Sequence, residues 1–235
     1  MKTRIFILIL LIIIFFSYKE KHSNANDIRN KSCVVINEKA KLTQTEEEKS
    51  KIIKRLNFLE QVSIIDSTEN MKRININTQD GLHGWIDVND ISFVSYKWYK
   101  FVDVPDVAIF LPREKKEYGF IKNDRKKKIQ EYKIYDKYHF IFIYKCIGSI
   151  DQFLKNYKKE MMQTGGDPNV IKFNYHDREV YYHSSKLIMN GTKYHMLLFE
   201  TSKNNYLEVM VDINNRNPSI SEDIIAKKIL FSVLK

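Results

Sequence analysis

Residues 183–185, His-Ser-Ser, set an imidazole beside two hydroxyls, the raw material of a nucleophilic site. Adjacent residues of a strand point to opposite faces, however, so His183 is poorly placed to activate Ser184. A catalytic constellation needs a nucleophile, a base and a group to hold developing charge. The six histidines, His22, His83, His139, His176, His183 and His195, do not supply one. His183 and His195 fall on neighbouring strands, but the pattern points them to opposite faces. No pair of histidines sits one helical turn apart and no Cys-His spacing suits a metal, so neither a metal nor a cofactor is expected. "GGDPN" (residues 165–169) has no lysine or following helix and reads as a helix stop and turn rather than a phosphate loop. The run Glu46 to Glu48 lacks the alternating oxygen ligands of a calcium loop. No catalytic residue is assigned, and an enzyme is the less favoured reading.

Binding chemistry is better represented. "GLHGWIDVNDI" (residues 81–91) holds one of the two tryptophans in the chain. Gly81 and Gly84 suit a tight turn. The alternation then places Trp85, Asp87 and Asn89 on one side of a strand and Ile86 and Val88 on the other. Trp85 is either a core plug or a stacking platform for a ligand, with His83 and Asp87 at its rim and Glu46 to Glu48 as possible acidic neighbours. A second candidate is "KNDRKKK", where Lys122, Arg125, Lys126, Lys127 and Lys128 would crown a hairpin. Such a tip either guards a sheet edge against aggregation or docks on an anionic lipid or polymer surface.

Composition limits where these sites operate. The chain has 235 residues, 43% of them hydrophobic and 29% charged, with a net charge of +10, which suits packed cores and a surface attracted to polyanions. Residues 1–25 read as a signal peptide: Lys2 and Arg4, the apolar run from Ile5 to Phe16, then the small residues Ser23 to Ala25. An exported chain is not expected to meet nucleic acid. The apolar run is shorter than the ~20 residues that span a bilayer, which makes an uncleaved anchor the second choice. Cys33 and Cys146 are the only cysteines, and sequence leaves open whether they pair.

Residues 26–32 read as a polar linker. From Cys33 come six strand-length apolar bursts, "CVVI", "AKL", "KIIKRL", "EQVSII", "RININ" and "GWIDV". "TEEEKSKIIKRLNFLE" competes as a helix but is taken as a charged loop feeding a strand. The succession, ending in Gly81, Gly84, Trp85, Ile86, Val88 and Ile91, resembles a bacterial SH3-like domain over residues 33–95. That resemblance implies a small all-β barrel that binds peptide. "KLTQTEEEKS" departs from the family at the usual ligand-side loop, where Arg, Gly and Pro are missing.

Residues 96–104 read as an aromatic connector, and a second domain spans 105–235. Strands are expected in "VAIFLP", "EYGFI" and "QEYKIYDKYHFIFIYKCI". A helix follows, with a capping box from Ser149 and Gln152, an apolar stripe of Ile150, Phe153, Leu154, Tyr157 and Met161, and a stop at Gly165 and Gly166. A four-strand meander turns at Asn190-Gly191 and Asn204-Asn205, which puts Leu187, Tyr194, Met196, Leu198, Leu207, Val209, Val211 and Ile213 on one face. A second helix is capped by Ser219 and Glu222. The order of elements resembles a PsbP-like α/β sandwich, an antiparallel sheet with packing helices, which implies binding or assembly rather than one chemistry.

The fold class is therefore mixed: a small SH3-like barrel plus an α+β domain. The expected function is that of an exported, non-enzymatic cell-envelope protein, periplasmic or extracellular. Its partner would be cell-wall (peptidoglycan) peptide or an envelope protein. The alternatives are a cell-wall hydrolase targeted by its SH3-like domain, and a membrane-surface protein held by its N-terminal segment.

Overall fold

Alternation of buried and more exposed residues is clearest between residues 61 and 87. A computed structural model describes residues 28–94, 98–102, 104, 107–112, 118–125, 129–135, 139–186, 192–215 and 217–234. The signal-like segment, Lys126 to Lys128, Leu187 and the Asn190-Gly191 turn lie outside the described residues. The chain divides into two compact units, Met1–Ile91 and Ser92–Lys235.

The first unit contains β1 (Ser32–Val34), β2 (Lys41–Thr43), β3 (Ile52–Arg55), β4 (Gln61–Ser67), β5 (Arg73–Thr78) and β6 (His83–Asp87), one for each apolar burst. All pair antiparallel in the order β1-β4-β5-β6-β2-β3. No strand pair joins β1 to β3, so the expected closed barrel is not formed among the described residues. One bridge, Val35 to Ile91, extends β1 beyond the sheet. The core takes one face of the sheet: Val62, Ile64, Ile74, Ile76, Leu42 and Ile86 are buried. The expected linker is partly built in, because Ile28 is buried and the Asn30 N–H donates to the Ile64 carbonyl at 2.8 Å.

The two glycines of the closing hairpin differ in purpose. Gly81 has φ +81° and makes the turn, its N–H donating to the Thr78 carbonyl. Gly84 lies inside β6, where a Cβ would meet the Thr43 carbonyl oxygen at 2.6 Å and Leu42 Cγ at 2.9 Å. It is a close-approach glycine rather than a turn glycine. Gly84→Ala is expected to cost about 1–3 kcal/mol, because backbone rather than a mobile side chain must give way. In Gly119→Ala the obstacle is the half-exposed Tyr135 ring, which can swing aside. Urea unfolding of the two variants would test the contrast; equal losses would contradict it.

In the second unit, β7 (Trp98–Phe101) pairs with β8 (Ile109–Pro112), so part of the expected connector is a strand. A seven-stranded antiparallel sheet follows, from β9 (Gly119–Arg125), β10 (Ile129–Tyr135), β11 (His139–Ile147), β12 (Ile171–Tyr175), β13 (Arg178–Lys186), β14 (Lys193–Ser202) and β15 (Asn205–Ile213). Its order is β12-β13-β14-β15-β11-β10-β9. Helix α1 (Ile150–Thr164) crosses one face between β11 and β12, and α2 (Ile220–Phe231) packs on the other against β14, β15 and β8. Gly165, at φ +72°, ends α1, and a capping box of Ser219 and Glu222 begins α2. Ile220, the first residue of α2, is 83% exposed.

Two local expectations fail. Ser149 is the N-cap of α1 but its hydroxyl makes no capping bond, and the Gln152 amide donates one turn onward to Asn156 Oδ1 at 3.0 Å. The β14–β15 register also differs. The turn falls at Lys203-Asn204, one residue early, and a bulge interrupts the ladder between Glu200 and Ser202. The combined slip is odd, which flips one strand's faces relative to the other. Tyr194, Met196 and Leu198 therefore face α1, while Leu207, Val209, Val211 and Ile213 share the α2 face with His195, Leu197 and Phe199.

Candidate functional site

On the outer face of the first unit, β5 and β6 alternate buried Ile74, Ile76 and Ile86 with half-buried Arg73, Asn75, Asn77, Trp85 and Asp87. Ile86 fills the core, so Trp85 is no plug. Asn75 and Thr43 flank Trp85 across the strands, and Asn77 lies opposite the exposed His83. The Arg73 guanidinium clamps this face by donating from Nη2 to Thr43 Oγ1 and, at 3.2 Å, to the Trp85 carbonyl. Arg73 Nε, Asn75 Oδ1 and Asn77 Oδ1 are buried yet make no hydrogen bond. Burying a polar atom without a partner is costly, and this face carries three such atoms, whose bonding would be completed by side-chain rotation toward a ligand.

Asp87 caps the turn that follows β6, its Oδ1 accepting from the Asn89 N–H at 2.8 Å. It also borders a groove of about 720 Å³ between the β2–β3 loop and the β4–β5 turn. The groove brings Glu46, Glu47, Glu48, Glu69 and Asp87 together against Lys72 and Arg73. Five carboxylates facing two cations make an acidic patch on a chain whose net charge is +10. Sequence offered Asp87 and Glu46 to Glu48 as acidic neighbours of Trp85. It gave no signal for Arg73, Asn75 and Asn77, whose importance depends on which face of β5 is outermost.

The basic run is only partly visible. Lys122 is exposed along β9, its Nζ 6.0 Å from the centre of the Tyr132 ring, rather than at the hairpin tip. β9 ends at Arg125 and β10 starts at Ile129, so Lys126 to Lys128 connect them and lie outside the described residues.

The second unit contains Ser184, His195 and Asp223, whose residue types match a hydrolytic triad. Ser184 lies across from His195 on β13 and β14, and His195 Nε2 donates to Asp223 Oδ1 at 3.0 Å. Yet His195 Nδ1 accepts from the Tyr182 hydroxyl at 2.8 Å, so both ring nitrogens are committed and neither serves Ser184. Ser184 Oγ instead donates to the Tyr194 carbonyl at 3.1 Å, and His195 is fully buried. The grouping locks α2 to the sheet. Burial depresses the His195 pKa, which keeps the ring neutral.

His183 faces the other way. Its Nε2 donates to the Asp167 carbonyl at 2.8 Å, and Nδ1 takes the Tyr157 hydroxyl at 2.6 Å. Tyr157 and Tyr194 share a further hydroxyl bond at 2.6 Å. Burial lowers the His183 pKa and raises those of both tyrosines, so this too is a neutral structural network. Cys33 and Cys146 are buried thiols that do not form a disulfide with each other. Among the described residues, no three His, Cys, Asp or Glu side chains gather to hold a metal ion.

No family model and no curated protein matches this chain. The unsatisfied face around Trp85 and its acidic groove therefore stand as the candidate site on their own chemistry.

Proposed function

We propose that the protein is an exported, non-enzymatic cell-envelope protein whose first unit binds wall peptide on the Trp85 face. The observation that carries this is the half-buried Trp85 set between buried, unpartnered polar atoms of Arg73, Asn75 and Asn77. Once the Asn75 and Asn77 amides and the Arg73 guanidinium turn outward from these solvent-inaccessible positions, an extended peptide offers N–H donors to Asn75 and Asn77 and a carbonyl to Arg73, while Trp85 stacks against an apolar portion. The five carboxylates of the adjoining groove select a ligand with an amino group at that end. The Gly81, Gly84 and Trp85 ending favours a variant SH3-like module with an opened sheet. For the second unit, its helices on an antiparallel sheet favour a PsbP-like assembly platform.

Co-sedimentation of the purified protein with isolated cell-wall sacculi tests the reading. Wild type is expected to pellet, more strongly at low than at high salt. Trp85→Ala, with its folding verified by circular dichroism, is expected to lose about tenfold in affinity, since loss of a stacking aromatic typically costs 1 kcal/mol or more. Pelleting that Trp85→Ala leaves unchanged, or no pelleting of wild type, would refute the assignment.

A further inference from the structure

Sequence leads one to expect a capping box at the start of α1, and its absence leaves polar groups in line. Ser149, Gln152, Asn156 and Glu160 are spaced i, i+3, i+7 and i+11, so they form a single stripe along the helix. All four line a trough of about 290 Å³ beside the sheet, where Phe153, Tyr157 and Tyr206 provide aromatic surface. Ser149 Oγ makes no capping hydrogen bond, and Gln152 gives Nε2 to Asn156 Oδ1. Gln152 Oε1 and Asn156 Nδ2 remain available, and both side chains are exposed.

We propose that this trough is a second binding site and that its ligand is a neutral sugar chain. Sugar rings present an apolar C–H face suited to an aromatic surface and a rim of hydroxyls that both donate and accept. The trough matches that pattern: the Tyr206 ring packs 5.5 Å from Phe153 on one side, and a hydroxyl and two amides line the other. Beyond Tyr206 the same sheet face continues into Tyr144 and Phe142, whose stacked rings are parallel within 2° and 6.4 Å apart, a direction in which a chain can extend. Charge argues against other ligands. The trough contains no lysine or arginine although the chain carries 39, and Glu160 sits at its rim, so phosphates and acidic polymers have no counter-charge there.

Calorimetric titration of the purified protein with tetramers of β-1,4-linked N-acetylglucosamine and of β-1,4-linked glucose tests this. At least one tetramer is expected to bind. The exposed pair Gln152→Ala/Asn156→Ala should weaken it about tenfold without altering thermal stability. Tyr206→Ala should weaken it further, and Trp85→Ala should have no effect, which separates this site from the peptide face. The proposal is overturned if neither tetramer binds, if the double variant binds as wild type does, or if Trp85→Ala abolishes binding.

Discussion

Asp223→Ala is expected to destabilise the second unit by about 3 kcal/mol, the largest single loss anticipated in this protein. Asp223 receives His195 Nε2 at 3.0 Å, Lys193 Nζ at 2.6 Å and Lys227 Nζ at 3.0 Å. Removing the carboxylate strands two ammonium groups near each other and leaves a fully buried N–H without an acceptor. Asp223→Asn retains an acceptor and should lose less. Burial alone would raise the Asp223 pKa, but the His195 hydrogen bond and the lysines outweigh it and hold the carboxyl well below the usual range. Its contribution is therefore complete above the unfolded carboxyl pKa, about 4, and is lost as pH falls from there. The depressed His195 acts in the same direction at higher pH, because the unfolded state takes up a proton first as pH falls below about 6.5. Urea unfolding between pH 3 and 8 should show wild type losing stability throughout that acid limb and Asp223→Asn losing less of it below pH 4. Identical curves would refute the role given to Asp223.

Glu208→Gln should have the opposite sign and raise stability at pH 8. Glu208 lies on β15, opposite Leu198 and Tyr144, and burial pushes its carboxyl up to about 7. A folded value above the unfolded one means that the folded state holds the proton between about pH 4.5 and 7. Stability therefore falls as pH rises through that window, by about 3 kcal/mol in total. Glutamine removes that cost. The difference between variant and wild type should thus be small at pH 5 and largest at pH 8. A difference that does not change with pH would show that Glu208 ionises as freely in the folded protein as in the unfolded chain.

Much of the architecture is legible in the sequence because short-range rules determine it. The six strands of the first unit follow from six strand-length apolar bursts, and α1 from the spacing of Ile150, Phe153, Leu154, Tyr157 and Met161. What was not legible depends on a single residue or on distant partners. One bulge between Glu200 and Ser202 and a turn one residue early exchanged the faces of Tyr194, Met196 and Leu198. Nothing in the local sequence marks Asp223, because its role comes from α2 setting it over His195, 28 positions away. At the candidate site, Trp85, Asp87 and the glutamate run were readable as types. Whether Trp85 faces inward was not, because alternation fixes relative but not absolute orientation. The unpartnered atoms of Arg73, Asn75 and Asn77 became visible only once that was settled.

The strand order of the larger sheet also sets the sequence in which it can form. The β9–β11 hairpins are local, and so is the meander from β12 to β15, but the seam between β11 and β15 joins His139 to Ile213. Closing so long a loop costs more entropy than forming any hairpin here, so the seam is the slow, rate-setting pairing. Until residue 213 is available, β11 remains an unpaired edge bearing Phe140, Phe142 and Tyr144. A chain that emerges N-terminus first from synthesis presents that adhesive edge before its partner arrives, and this interval is where aggregation or chaperone capture would act.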